Sequence, residues 1–452
     1  MKHAETDSHK SQYARSSTTR AILNLRDGLY QSEVVTMKFG RLPTYSILYW
    51  AALSISHVLS DGQVPLHLQQ ASYKEALRRA AFSFGVLQEQ YYSYIHGLYK
   101  TTGWWNAANI IATIADVAIV NPVLSRDIEL ILENTFMNAP KHNPTRLGYK
   151  KTINPETFLV TASWISLEQE RATQPQRSLL EQADEMWLND YYDDEAWWAL
   201  AWLKAYDLTL NTTYLSSAIY IFNDLQQGTT TPCGGIWWNK NHTYVNAITN
   251  ELYLTVAASL SNRALTASER DKYLSIALEQ WKWFLNSGMI NDACNINDGL
   301  SSDCTNNGGT IWSYNQGVIL AGLSELWIAT HDDGYLDIAM KIAKAAFEKL
   351  TTDQGILRDR CETNGCGADG VQFKGVFLRG LSMIYQVVQE GEGKNNIARF
   401  VNRNAESIWT DDQDDVGRIG VSWSGPLSEV NAGSHGSGLD ALIAAADAGS
   451  FR

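Results

Sequence analysis

From residue 72 onward, apolar positions recur three and four residues apart in window after window. The 3.6-residue turn of a helix produces that spacing, because it brings i, i+3, i+4 and i+7 onto one face. The pattern predicts helices over about 72–98, 105–120, 125–138, 189–208, 212–227, 245–260, 268–286, 312–329, 334–350, 371–389, 395–409 and 436–448. Strand-type alternation is scarce and confined to short pieces such as Gly235-Ile236-Trp237-Trp238. Twelve helices in six successive pairs, on a chain of 452 residues, predict an all-α fold built as a closed ring of helical hairpins. Residues 139–187 interrupt the series as a long excursion with little core pattern. No Pro/Ser-rich linker divides the chain, so one domain is expected. The stretch Gly433–Gly438 reads as a loop before the last helix.

The first 60 residues read differently. Residues 1–36 are polar and lack sustained periodicity. Met37-Lys38-Phe39-Gly40-Arg41 is then followed by the apolar run from Tyr45 to Ile55. A basic stretch, a short apolar stretch and a small-residue exit are the parts of a signal peptide, and the run is too short to span a membrane comfortably. The expectation is translation from Met37, a signal segment over 37–60 and a helical domain over 61–452. The chain ends Ala448-Gly449-Ser450-Phe451-Arg452, with no apolar tail, so no stable membrane anchor is expected.

Composition narrows the function. A formal charge of −13 argues against nucleic acid or an anionic membrane as partner. Sixteen Trp and 21 Tyr supply either a large aromatic core or stacking platforms for sugars. Of the five cysteines, Cys294 and Cys304 bracket one polar loop, and Cys361 and Cys366 bracket another. Both pairs are expected to be bridged, in an oxidising compartment, with Cys233 left over. Ligand spacings for zinc are missing, so no metal is expected. The triplets Asn211-Thr212-Thr213 and Asn241-His242-Thr243 are glycosylation sequons, which fit a secreted, monomeric glycoprotein.

The chemistry concentrates in Asn189-Asp190-Tyr191-Tyr192-Asp193-Asp194-Glu195-Ala196-Trp197-Trp198. Acids in the first turn of a helix suit its positive end, which is the plain reading of this motif. The aromatic frame changes the weighing, because charge among aromatic rings suits a flat polar ligand such as a sugar. A glycosidase uses two carboxyl groups, one protonated and one ionised, and neighbouring acids drive each other's pKa values apart. Asp411-Asp412-Gln413-Asp414-Asp415 lacks the spacing of a calcium loop and reads as a solvated loop. His435 reads as a loop residue.

The chain resembles glycoside hydrolase family 76, the α-1,6-mannanases, over roughly residues 72–448, and in particular its fungal secreted members. The centre of the resemblance is Tyr192 to Trp198. Support comes from Gly103–Asn109, Gly234–Asn239, Thr249–Leu252, Asn297–Gly299, Trp312–Gly317 and Phe373–Phe377. The resemblance implies an (α/α)6 barrel, no cofactor and retaining cleavage of α-1,6-mannan, with Asp193 as nucleophile and Asp194 as acid/base. Trp105, Asn106, Asn109, Tyr192, Trp238, Asn250, Glu251, Asp298, Tyr314, Asn315, Gln316, Phe373 and Lys374 are then the expected substrate-binding residues. The polar ones among them read equally well as helix caps, and Trp105, Trp237 and Trp238 as core. Two alternatives share the scaffold: a transglycosidase acting on cell-wall or lipid-anchor mannan, and a non-catalytic mannan-binding protein.

Overall fold

A computed structural model describes residues 66–144, 152–153, 160–161 and 187–449. The signal-like segment, the start at Met37 and most of the 139–187 excursion lie outside the described residues. Gln69–Arg452 forms one compact unit, which holds the helical ring.

Twelve long helices follow one another: α1 (Leu66–Tyr91), α2 (Trp104–Val120), α3 (Ser125–Asn138), α4 (Tyr192–Thr209), α5 (Thr212–Leu225), α6 (Ala247–Arg263), α7 (Ala267–Asn286), α8 (Ser313–Thr330), α9 (Gly334–Lys349), α10 (Phe373–Val387), α11 (Glu392–Asp411) and α12 (Ala432–Gly449). The even-numbered helices pack each on the next, and α12 returns to α2, so they form a closed inner ring. The odd-numbered helices lie outside: α3 on α2, α5 on α4, α7 on α6, α9 on α8 and α11 on α12. Helix α1 reaches α12 through Ser83 Oγ, 3.2 Å from His435 Nε2. This is the closed ring of six helical hairpins that the periodicity predicts, and the (α/α)6 barrel that the resemblance implies.

The two rings differ in sequence as their surroundings demand. In α2 only Asp116 and Ile119 fall outside the buried set, because an inner helix has neighbours on every side. The outer helix α11 instead buries Ile397, Phe400, Val401, Asn404, Ala405 and Ile408, a single stripe at helical spacing. Inner helices α8 and α10 meet backbone to backbone. A Cβ on Gly380 would stand 2.1 Å from the Gly317 carbonyl oxygen, so only glycine fits.

Strand content is slight: β1 (Tyr92–Ser93) pairs with β2 (Leu98–Tyr99), and β3 (Thr152–Ile153) with β4 (Val160–Thr161). The expected strand piece at Gly235–Trp238 is an irregular loop, held through the Tyr191–Asn239 bridge just beyond it.

Three expectations are corrected. Gly433–Gly438 lies inside α12 and is not a loop. Its glycines allow close packing, since a Cβ on Gly438 would lie 2.5 Å from Ile419 Cγ2. His435 is therefore fully buried in that helix. Its Nδ1 accepts from the Ile419 amide at 3.0 Å, and its Nε2 lies 2.8 Å from the Ser83 carbonyl oxygen as donor. Burial holds its pKa down at about 4.

The second correction is the disulfide set. Cys304 is bonded to Cys233 and not to Cys294, whose thiol is free, while Cys361 is bonded to Cys366. Cys294 and Cys304 each occupy the left-handed corner of their own tight turn, at φ 60° and φ 65°. Nearness in sequence does not bring those corners together. The loop carrying Cys233 is instead fastened by Trp283 Nε1, which donates to the Cys233 carbonyl at 2.8 Å.

The third is the acidic run. Asp412 is fully buried, and both its carboxyl oxygens lack a hydrogen-bond partner among the described residues. Burial pushes its pKa up to about 8, against the pull of Lys374 and with the push of Glu362. The folded state thus keeps a proton that the unfolded chain loses near pH 4, the ordinary range of an aspartate. The stability this adds is complete below about pH 4 and is lost as pH rises through about 8. Asp412→Asn is expected to flatten the decline of Tm between about pH 5 and about pH 8, measured by calorimetry. Parallel curves for the variant and the wild type would contradict this account.

Candidate active site

The inner helices begin side by side at one end of the ring. Asn106 Nδ2 donates to Gln372 Oε1 at 3.0 Å, linking the starts of α2 and α10. The Gly375 amide donates to Ser437 Oγ at 2.8 Å, linking α10 to α12. Tyr314, in the first turn of α8, stacks on Phe373, in the first turn of α10, with ring centroids 3.9 Å apart.

Helix α4 starts after Tyr191, whose backbone is extended, and carries Asp193, Asp194 and Glu195 in its first turn. Their exposures are 8 %, 2 % and 0 %, so three acids are buried in succession. Each aspartate has its own donor from a different loop. Trp238 Nε1 donates to Asp193 Oδ2 at 3.0 Å. Asn189 Nδ2 donates to Asp194 Oδ2 at 2.8 Å, and Asn189 Oδ1 in turn accepts from the Tyr191 amide at 2.8 Å. Hydrogen bonds of this kind fix the orientation of each carboxyl group.

Further carboxyl groups face the same place. Burial pushes the Tyr314 phenol well above its usual range, and the negative fields of Asp298, Asp193, Glu251 and Asp369 add to this. Four acids from separate elements therefore act on one phenol. Burial pushes Asp298 up to about 6, against the donors Tyr244 and Trp312 that favour its ionised form. The Tyr244 hydroxyl donates to Asp298 Oδ2 at 2.7 Å. Glu251 is fully buried, and burial, then Asp298, pushes its carboxyl well above the usual range. Neither Glu251 oxygen has a hydrogen-bond partner among the described residues, and neither amide atom of Asn315 has one. Glu195 is also pushed upward by burial, with Lys240 opposing.

Aromatic rings complete the lining. Trp105 Nε1 donates to Asp369 Oδ1 at 2.6 Å. The Trp105 ring stacks on Trp197 at 5.5 Å and on Phe373 at 6.3 Å. The Trp238 ring packs on Tyr191 at 4.9 Å.

Several residues expected at the substrate are held by the protein instead. The Asn250 amide bridges the Ile236 backbone, accepting at 2.8 Å and donating at 3.0 Å. Gln316 does the same for Ile296, at 2.9 and 3.0 Å. Asn109 Oδ1 accepts from Arg379 Nη1 at 2.9 Å. Lys374 is 1 % exposed, pairs with Glu362 at 2.9 Å and lies 4.4 Å from the centre of the Trp423 ring. Tyr192 packs beneath Gly228 and takes Lys240 at 5.5 Å from its ring. A buried amide or ammonium satisfied in this way cannot turn to a ligand without leaving its partners unpaired. Asn189, Tyr244, Trp312 and Asp369 join the site without having been expected there. Asn189 stands in the acid motif, but nothing in its local pattern marks it as a donor to Asp194.

Deeper between the inner helices lies a cavity of about 50 Å³, lined among others by Trp197, Lys204, Thr255, Arg263, Glu325 and Arg379. Its charges are paired, Lys204 with Asp116 at 2.7 Å, Arg263 with Glu325 at 3.1 Å and Arg379 with Asp440 at 2.9 Å. The acid pair does not line it. No group of three or more His, Cys, Asp or Glu side chains is placed to hold a metal ion among the described residues.

Residues 160–448 match the model of glycosyl hydrolase family 76. The chain belongs to that family. Family members similar to it include the "putative mannan endo-1,6-alpha-mannosidase C1198.07c" of Schizosaccharomyces pombe, 29 % identical over 43 % of this chain and 47 % of the relative. Mannan endo-1,6-alpha-mannosidase DCW1 of Candida albicans is 27 % identical over 44 % and 48 %. The chain thus matches about half the length of these curated relatives. Among solved structures, the fold resembles an inactive variant of the α-1,6-mannanase GH76A of Salegentibacter sp. HEL1_6, in complex with α-1,6-mannotriose. The TM-score is 0.64 at 20 % identity, over 82 % of this chain and 99 % of that one. Dfg5 from Chaetomium thermophilum, in complex with glucosamine, gives 0.64 at 17 % identity over 83 % and 90 %.

In this family 76 chain the Tyr244 hydroxyl is the donor that most favours ionised Asp298. Tyr244→Phe is expected to move the Asp298 titration upward from about 6, read by carboxyl ¹³C NMR with Asp298→Asn for assignment. An unmoved or lowered midpoint would show that the bond does not favour the ionised form.

Proposed function

We propose that this chain is a retaining endo-α-1,6-mannanase acting on the α-1,6-linked backbone of fungal-type mannan. One observation carries the reading. Two consecutive buried aspartates open an inner helix, each with a separate donor, among stacked aromatic rings and further acids. The printed names of the relatives support the substrate, since they are mannan endo-1,6-alpha-mannosidases. The Salegentibacter mannanase supports the residues, since its inactive variant has two consecutive aspartates changed to asparagine.

In this mechanism Asp193 attacks the anomeric carbon of a bound mannosyl unit. The bond to the departing sugar breaks, and Asp194 gives its proton to the leaving oxygen. Water then attacks the glycosyl-enzyme, Asp194 takes the water proton, and the Asp193 carboxylate is released. Trp238 Nε1 holds Asp193 in place. Asn315 and Glu251 offer polar atoms without hydrogen-bond partners among the described residues, for sugar hydroxyls. The two disulfides and the exposed sequon residues Asn211 and Asn241 support action outside the cell.

Both Asp193→Asn and Asp194→Asn are expected to cost several orders of magnitude in rate. With an activated leaving group, Asp194→Asn should accumulate glycosyl-enzyme, and azide should restore part of its rate with retained configuration. Asp193→Asn should give only product of opposite configuration when rescued. Identical behaviour of the two variants would refute the division of roles, and near-normal activity in both would refute the site.

A further inference from the structure

Glu195 follows the acid pair directly and has no part in the chemistry above. It is nevertheless 0 % exposed, and Lys240 Nζ lies 2.8 Å from its Oε1. The same Oε1 accepts the Asn189 backbone amide at 2.7 Å. Lys240 also pairs with Asp224, one residue from the end of α5, at 2.7 Å. A buried ion pair of this kind is a poor source of stability, because desolvating both charges offsets most of their attraction. Its location is more informative than its energy.

The pair joins the two short segments that supply the donors to the aspartates. One segment, 187–191, carries Asn189, and Glu195 holds its backbone. The other, 237–240, carries Trp238, and Lys240 anchors its end. Backbone bonds zip the two together: Tyr192 donates to the Trp238 carbonyl at 3.0 Å, and Lys240 to the Asp190 carbonyl at 3.0 Å. The Glu195 side-chain contacts with the Asn189 amide and with Lys240 are therefore each made on a residue within two of, or identical with, a donor to Asp193 or Asp194.

We infer that the Glu195–Lys240–Asp224 cluster is the positioning device of the acid pair, holding Asn189 on Asp194 and Trp238 on Asp193. This deepens the mannanase reading and rests on it. Glu195 and Lys240 are positioning residues, since they act through Asn189 and Trp238. Glutamine at 195 keeps an oxygen for the Asn189 amide, whereas alanine removes it. The role thus depends on an acceptor atom and a tie between segments, not on charge alone.

The test compares kcat and KM on α-1,6-mannotetraose for the wild type, Glu195→Gln, Glu195→Ala, Asn189→Ala and the double variant E195A/N189A. Glu195→Ala is expected to lower kcat roughly 10- to 100-fold with KM within about threefold, and Glu195→Gln to recover most of that loss. The double variant should lose clearly less than the product of the two single losses, because both changes break the contact through Asn189. Should Glu195→Ala not fold, E195Q/K240M removes both charges and the tie together, and the same loss of kcat is expected. Independent losses in the double variant, or an unchanged kcat in folded Glu195→Ala with only Tm lowered, would overturn the proposal. A wild type that turns over no mannan would fail the functional reading alone. The Trp238 indole N–H resonance, assigned with Trp238→Phe, then decides the inference: it shifts in E195Q/K240M if the cluster positions Trp238, and an unmoved signal rejects it.

Discussion

Closure of the inner ring, where α12 packs back on α2, is the constraint on which the remaining architecture depends. A helix with neighbours on every side has no solvent face, so its sequence must be apolar nearly all round. Polar side chains are tolerated along it only where another polar group is on hand or where the ring opens. Each inner helix is preceded by an outer one running the opposite way, so their first turns gather at one end. That end collects backbone amides and the positive ends of the helix dipoles, which suit acids. Asp193 and Asp194 lie in such a first turn and Glu251 just beyond one, while Asp298 and Asp369 precede inner helices on a loop or a single turn.

Gathering acids in a poorly solvated place raises a second problem, since like charges oppose each other's ionisation. The structure meets it with individual donors. Asp193 has an indole, Asp194 an amide and Asp298 a phenol, each from a different segment. Glu251 has none among the described residues, and burial pushes it well above the usual carboxylate range. Glu251 and Asp298 are thereby made unequal, since donors oppose burial at Asp298 and none does so at Glu251. The donors stand on loops, so their precision depends on whatever fastens those loops to the helices.

The helix count, the pairing and the placement of the acid pair at a helix start are legible in the sequence because they rest on local periodicity and on one dense motif. The features that are not legible are set by contacts between distant segments. Gly433–Gly438 looks like a loop by composition, yet the crowding of Ile419 and Ile110 turns those glycines into helix-packing residues. Cys233 looks unpaired because its partner lies 71 residues away, across a loop fastened by Trp283. Asn250, Gln316 and Lys374 have the right residue types at the right helix ends for sugar binding. Only the fold reveals that Ile236, Ile296 and Glu362 already occupy them. Asn189 and Tyr244 carry no local signal, since a donor is recognised by its acceptor.

The most direct test of the central claim is to trap the covalent intermediate. The protein is incubated with a slow fluoro-mannoside bearing an activated leaving group, digested, and mapped by mass spectrometry. A single mannosyl adduct on the peptide containing Asp193-Asp194, localised by fragmentation to Asp193, is the predicted result. An adduct on Asp194 or on any other acid, or turnover with inverted configuration and no adduct, would contradict the account.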